Sequence, residues 1–314
     1  MVKRSGSVAK SAPKSPVDFA YAFRSFVGFL EGTEKSAHTI KNYKSDLQSF
    51  REFLEKGLGS HAVALSAVTR QDLEQFHEFL KLQGQKTNTR RRKLLTVRKL
   101  LRYLTVRKKI GIDVGDKLPA PQKIERVPHT VPRDQLVEAI RQLPVDNDLR
   151  LRNQVLLWTL AETGCLVSEI PRIRFADWAA EGTLAISGKA PRILTVSKEL
   201  HAKVQLLQTT RPEQPHLFLG FNKFGPLGSP ITPRGVELLV QVSAPKLGLG
   251  EITPRTFRHS AVVQWFSEGV TREEIQRRLG LRTAYAFRSY EPIFATFKSK
   301  SKTTSTSETS PTES

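Results

Sequence analysis

Four prolines, Pro119, Pro121, Pro128 and Pro132, fall within one short, charged stretch and divide this 314-residue chain. Each removes a backbone donor and biases the residue before it to extended structure, so no helix is expected to cross the stretch. The chain is patterned differently on its two sides. On the N-terminal side apolar residues recur at helical spacing: Phe19, Phe23, Phe26, Val27 and Leu30, then Ile40, Tyr43, Leu47, Phe50, Phe53 and Leu54. Thr69, with Asp72 three residues on and Leu73, Phe76, Phe79 and Leu80 behind it, reads as a capped helix start. A fourth helix is expected over about residues 88–107.

The C-terminal side is mixed. Residues 134–143 and 150–162 read as helices. Residues 184–188 and 193–196 read as two short strands around a turn, with Leu217-Phe218-Leu219 a candidate third. Thr232-Pro233 is a good helix start, and Thr271-Arg272-Glu273-Glu274 has the form of a capping box. The fold class is therefore mainly α with a small β-sheet in the second domain. The expected boundaries are 16–112 for a helical domain, 113–131 for a linker and 132–297 for a mixed domain. The flanking segments, 1–15 and 298–314, are low in complexity and expected to be disordered.

Lys and Arg number 50 against 30 Asp and Glu, a formal charge of +20. Such an excess says nothing about fold but implies a polyanionic partner, for which DNA, RNA and an anionic membrane all qualify. No apolar run approaches the roughly 18 residues of a membrane span. No apolar stretch follows the basic N-terminus, so no secretory signal is expected. The lone Cys165 excludes an intrachain disulfide and a cysteine-cluster metal site, and the seven His lack metal-ligand spacing. The expectation is a cytoplasmic, nucleoid-associated protein without membrane, metal or cofactor.

Residues 86–109 carry eleven Lys and Arg and no acid. Leu94, Val97, Leu101 and Leu104 form an apolar stripe at i, i+3, i+7 and i+10, while Arg91, Arg98 and Arg102 fall on another face. One side of such a helix can pack while the other offers guanidinium groups to phosphates. Arg90, Arg91, Arg92, Arg98 and Arg102 are the candidate DNA-binding residues. Phosphate neutralisation releases counterions and makes binding salt-sensitive; arginine can also read guanine edges in a major groove.

Two segments, Thr163-Gly164-Cys165-Leu166-Val167-Ser168-Glu169-Ile170 and Thr253-Pro254-Arg255-Thr256-Phe257-Arg258-His259 through Leu279-Gly280-Leu281 to Tyr290, together with Gly188-Lys189, resemble the boxes of the tyrosine recombinases. The likeness is greatest to the bacterial Xer and phage-integrase type. Thr39-Ile40-Lys41-Asn42-Tyr43 resembles that family's core-binding domain, so the likeness spans about residues 18–290. It implies an α-helical core-binding domain plus an α+β catalytic domain, closing as a C-shaped clamp around duplex DNA. The implied chemistry is metal-free transesterification. A tyrosine hydroxyl attacks phosphorus to leave a 3′-phosphotyrosine, arginine forks hold the developing charge and a hairpin lysine protonates the leaving hydroxyl.

Carried over residue by residue, Tyr290 matches the nucleophile, nine residues after Leu281. Lys189 matches the hairpin lysine and Arg258 the second arginine. Three positions depart. Leu166 stands where the first arginine is expected, Arg255 where histidine is expected, and Leu281 where histidine or another donor follows Leu-Gly. Arg255 restores one positive charge without an imidazole's proton exchange. Arg172 and Arg174 lie six and eight residues beyond Leu166; six residues along a helix is a different face, so neither is taken as a substitute. After Tyr290, Ile293, Phe294 and Phe297 could form a short apolar knob.

Two readings follow. The chain is a DNA-binding member of the family with impaired strand cleavage, acting by site binding or as the partner of an active recombinase protomer or paralogue. Alternatively it is an active divergent recombinase using Tyr290, Lys189, Arg258 and Arg255. A general nucleic-acid coating protein is the weaker third; the helical and mixed blocks disfavour it.

Overall fold

The structure, a computed structural model, describes residues 16–58 and 64–295. The expected tails at 1–15 and 298–314, and Phe297, lie outside the described residues. The chain divides into two compact units between Glu125 and Arg126.

Among the described residues, unit 1 has four α-helices: α1 (Phe19–Glu31), α2 (Ala37–Leu58), α3 (Arg70–Leu82) and α4 (Thr87–Val106). Asp18 starts α1 by accepting from the backbone N–H groups of Ala20 and Tyr21. Thr69 and Asp72 form the reciprocal capping box of α3. The aromatic periodicity becomes the core: Phe50 is fully buried and packs edge-on against Phe76, with ring centroids 5.0 Å apart. Leu94, Val97, Leu101 and Leu104 are all buried, so the stripe read on α4 is its packing face.

A return segment follows α4. Ile110 and Leu118 are buried in the same core. Arg98 donates to the Leu118 carbonyl (2.8 Å), Arg91 to that of Pro121 (2.7 Å), and the Asn88 amide pairs with the Ile124 backbone through both its atoms. Residues 113–125, expected as linker, are thus strapped along α4.

Unit 2 is built around α6 (Asp148–Thr163), buried on nearly every face and flanked by α5 (Arg133–Arg141), α7 (Lys198–Thr209) and α9 (Pro254–Ser267). Such a helix has no polar stripe to reveal its orientation. The Gln154 amide donates to the carbonyls of Ile140, Arg141 and Leu143, satisfying orphan acceptors at the end of α5. Strands β1 (Trp178–Ala179), β2 (Thr183–Ile186) and β3 (Arg192–Thr195) form an antiparallel sheet, with Ile186 opposite Arg192. A second hairpin joins β4 (Leu219–Asn222) to β5 (Gly225–Pro230), two residues later than the candidate third strand.

Helices α8 (Pro233–Leu247) and α10 (Arg272–Leu279) start where Thr232-Pro233 and Thr271 indicate. The capping box at α10 is half formed. Thr271 accepts from Glu274 N–H, but the Glu274 carboxylate pairs with Arg277 and Arg278 instead. No described helix is long and apolar enough to cross a membrane.

Candidate functional site

The α6 helix ends at Gly164, whose φ of +58° suits glycine, and the chain turns out through Cys165 and Leu166. Gly164 packs closely: a Cβ there would meet Ala261 at 3.3 Å and the Cα of Arg258 at 3.6 Å. The Thr163–Glu169 segment therefore lies against the first turns of α9, which carry Arg255, Arg258 and His259. Arg258 donates to the carbonyls of Gly164 (2.6 Å) and Leu279 (2.8 Å), joining the end of α6 to the end of α10. Burial holds its pKa below the usual arginine value.

Tyr290 closes a 3-10 turn over residues 284–290. It is buried in a cluster with Phe287, Phe294, Trp265 and Leu279. Phe294 stacks on the Tyr290 ring on one side and on Phe266 at 3.9 Å. Phe294 is 1% exposed, so it anchors its own domain and is not a free knob. The Tyr290 hydroxyl is hydrogen-bonded to Nδ1 of His259. Burial pushes the phenol up to about 12, against the opposing charge of Arg258. Burial, then the charges of Arg255 and Arg258, pushes His259 down to about 4. At neutral pH the pair is thus a protonated phenol on a neutral imidazole.

Lys189 lies in the turn between β2 and β3 and is exposed. That turn is fastened to the α10 end: a Cβ on Gly280 would meet the Ala190 Cβ at 2.8 Å. Arg192, two residues after Ala190, holds the assembly together. It donates to both oxygens of Glu169 (2.7 and 2.9 Å) and to the carbonyls of Ala190 (3.2 Å) and Arg278 (2.6 Å). Burial alone would raise Glu169, but the Arg192 hydrogen bonds, the Leu166 N–H and the nearby arginine charges hold it below the usual carboxylate range.

The fold thus draws Tyr290, His259 and Arg258 together and seats the Lys189 hairpin against the Leu279-Gly280-Leu281 turn. Arg255 is exposed on the first turn of α9, with no hydrogen-bond or ion-pair partner among the described residues. Leu166 is 44% exposed and contributes only backbone hydrogen bonds, its N–H to Glu169 at 2.8 Å. Leu281 is half-buried in the tyrosine cluster, its carbonyl accepting from Gln276. Sequence reading missed Arg192 and the pairing role of Glu169. The available signal was strand alternation: Arg192 and Leu194 point inward on β3 while Ile193 and Thr195 point outward, and an inward arginine needs a buried partner.

In unit 1 the basic helix is partly committed internally. Arg91 and Arg98 hold the return segment, Arg92 pairs with the buried Asp46 at 2.5 Å, and Arg90 donates to Thr87. Burial raises Asp46 despite Arg92, Thr96 and Lys93. Arg102 is exposed. A groove of about 450 Å³ is lined by Thr39, Asn42, Tyr43, Arg91, Arg92 and Lys99, among others.

A family model described as the N-terminal SAM-like domain of phage integrases matches residues 23–108. The tyrosine recombinase XerC of Anoxybacillus flavithermus is 28% identical over 274 residues, spanning 81% of this chain and 87% of the relative. XerC of Chlamydia muridarum is 25% identical over 289 residues, spanning 82% and 89%. Among solved structures, the fold resembles the XerH site-specific recombinase bound to palindromic difH substrate in a post-cleavage complex. The TM-score is 0.71 at 16% identity, over 94% of this chain and 90% of that one. A lambda integrase dimer bound to a COC′ core site gives a TM-score of 0.65 at 13% identity, over 95% and 99%. The similarity runs through both units: in sequence it is to Xer-type tyrosine recombinases, and in fold it is to solved structures of site-specific recombinases and integrases.

Proposed function

We propose that this protein binds duplex DNA as a tyrosine recombinase of the DNA recombination and integration class, and that its own strand cleavage is impaired. It acts by occupying a site or as the partner of an active protomer. The observation that carries this reading is Leu166: an exposed isobutyl group stands where the resemblance calls for a guanidinium. Supporting it, Arg258 directs two donors to backbone carbonyls, and Tyr290 is held as a buried, protonated phenol.

The reaction attributed to the site balances as follows. The Tyr290 oxygen attacks phosphorus, a phenolic O–P bond forms and the bond from phosphorus to the 5′-oxygen breaks. Lys189 gives its proton to the departing 5′-oxygen, and the phenol proton passes to His259, the group already bonded to it. Negative charge gathers on the non-bridging oxygens, where each preorganised donor is worth roughly 10²–10³ in rate. Affinity draws on phosphates remote from the scissile one, so it survives the defect.

The second reading, an active divergent recombinase, is favoured by Arg255, an unpaired cation at the start of the same helix as Arg258 and His259. The combined change Leu166→Arg, Arg255→His and Leu281→His separates the two. Under the proposed reading it raises covalent protein–DNA adduct on a nicked duplex at unchanged affinity. No gain from a variant that folds and binds would contradict it.

A further inference from the structure

We propose that Arg172 supplies the phosphate-binding guanidinium missing at Leu166, acting from the side of the Lys189 hairpin. The inference rests on the recombinase reading of the site and narrows its impairment to the donors replaced at Arg255 and Leu281.

Arg172 closes the 3-10 turn of residues 170–172, which directly follows the Leu166–Glu169 segment. Gly164 ends α6 before this segment, so helical reckoning of which face Arg172 occupies does not apply. Its guanidinium lies on the hairpin turn: NH1 is 3.0 Å from the point where a Cβ on Gly188 would sit. Gly188 has φ +114°, a conformation glycine alone adopts without strain, and its bare Cα leaves that space to the guanidinium. The next residue is Lys189.

The charges around this point are unevenly committed. Arg192 and Arg258 are engaged with Glu169 and with backbone carbonyls. Arg172 and Lys189 are both exposed, and neither side chain has a hydrogen-bond or ion-pair partner among the described residues. Two cations without side-chain partners at one hairpin turn can share an anion. A planar guanidinium with a lysine beside it suits a phosphodiester: the fork takes a non-bridging oxygen while the ammonium reaches a bridging one. The turn cannot drift from the tyrosine cluster, because Ala190 is seated on Gly280 and its carbonyl is held by Arg192. The structure therefore sets an uncommitted guanidinium on the hairpin turn that carries the lysine assigned to the leaving oxygen.

The test uses the full chain and a nicked duplex built on whatever sequence the protein selects from a randomised pool. Covalent adduct at Tyr290 is timed for wild type, Arg172→Gln, Leu166→Arg and the double variant, with affinity measured in parallel. Arg172→Gln is expected to lower the adduct rate by about 100-fold, the value of one preorganised donor, with affinity changed less than about threefold. Adding Leu166→Arg to it is expected to restore the rate. The Arg172 side chain makes no hydrogen bond, and its backbone bond to Glu169 is kept on substitution, so the variant should fold; should it not, Arg172→Lys takes its place and is expected to retain part of the rate. Adduct formation by Arg172→Gln within threefold of wild type would overturn the proposal, as would a loss confined to affinity. No adduct from wild type would also overturn it, whether or not Leu166→Arg restores one, and would leave the impaired-cleavage reading standing. Efficient wild-type cleavage that depends on Arg172 would uphold the proposal and remove the impairment instead.

Discussion

Replacing Glu169 with glutamine should cost the second unit about 3 kcal/mol, and the reason lies in what Arg192 then faces. The Arg192 side chain is 2% exposed and that of Glu169 14%, and the two share hydrogen bonds of 2.7 and 2.9 Å. Removing one member of a buried pair leaves the other charge desolvated, at about 3–5 kcal/mol. Glutamine keeps one acceptor oxygen, which places the loss at the lower end. For a domain of this size, about 3 kcal/mol corresponds to a fall in Tm of roughly 6–12 °C. Replacing both residues with apolar groups, Glu169→Leu with Arg192→Met, should cost less than Glu169→Gln alone, because the stranded charge goes too. The acid limb carries a second signature. Glu169 is held below its ordinary value of 4.5, so its contribution is present above that pH and lost as pH falls through the folded-state pKa. Glu169→Gln should erase that part of the acid dependence. Urea unfolding of the full chain, followed by probes in the second unit, reads all three. A loss under about 1 kcal/mol, or strict additivity of the two sites, would refute the account of how the hairpin is held.

Two shorter predictions concern protons and salt. His259 is depressed from 6.5 to about 4, so the folded state binds fewer protons than the unfolded between those values. Stability should therefore fall as pH drops from 6.5 towards 4, by roughly 2 kcal/mol once the ring's partial exposure is allowed for, and His259→Gln should flatten that slope in a pH series of melts. DNA affinity should weaken steeply with salt, and Arg102→Gln with Lys99→Gln should reduce the log–log slope by about 1–2. Arg98→Gln should instead lower the stability of the first unit, since Arg98 holds the Leu118 carbonyl; an unchanged melt would show that this strap carries no weight.

The helices were legible because apolar spacing and caps report directly on them, as Thr69 with Asp72 and Thr232-Pro233 illustrate. Strand β1 is two residues long, and β5 reads Gly-Pro-Leu-Gly-Ser-Pro, a composition that marks turns. The return segment after α4 has no periodicity, so the commitment of Arg91 and Arg98 to its carbonyls left no trace in the pattern. Motif order singled out Tyr290, Arg258 and Lys189 as candidates. What joins them comes from long-range packing: the glycine contacts at 164 and 280, the Glu169–Arg192 pair and the bond from Tyr290 to His259. Spacing along a chain does not encode these.

The most direct measurement is the covalent adduct formed by the unmodified protein on a nicked duplex carrying its selected site, with Tyr290→Phe alongside. The account predicts tight binding by both proteins, slow but measurable adduct from the unmodified chain, and none from Tyr290→Phe, which loses the nucleophilic oxygen together with its bond to His259. Rapid, near-complete adduct from the unmodified protein, abolished in Tyr290→Phe, would contradict impaired cleavage and show a working recombinase with a rearranged site.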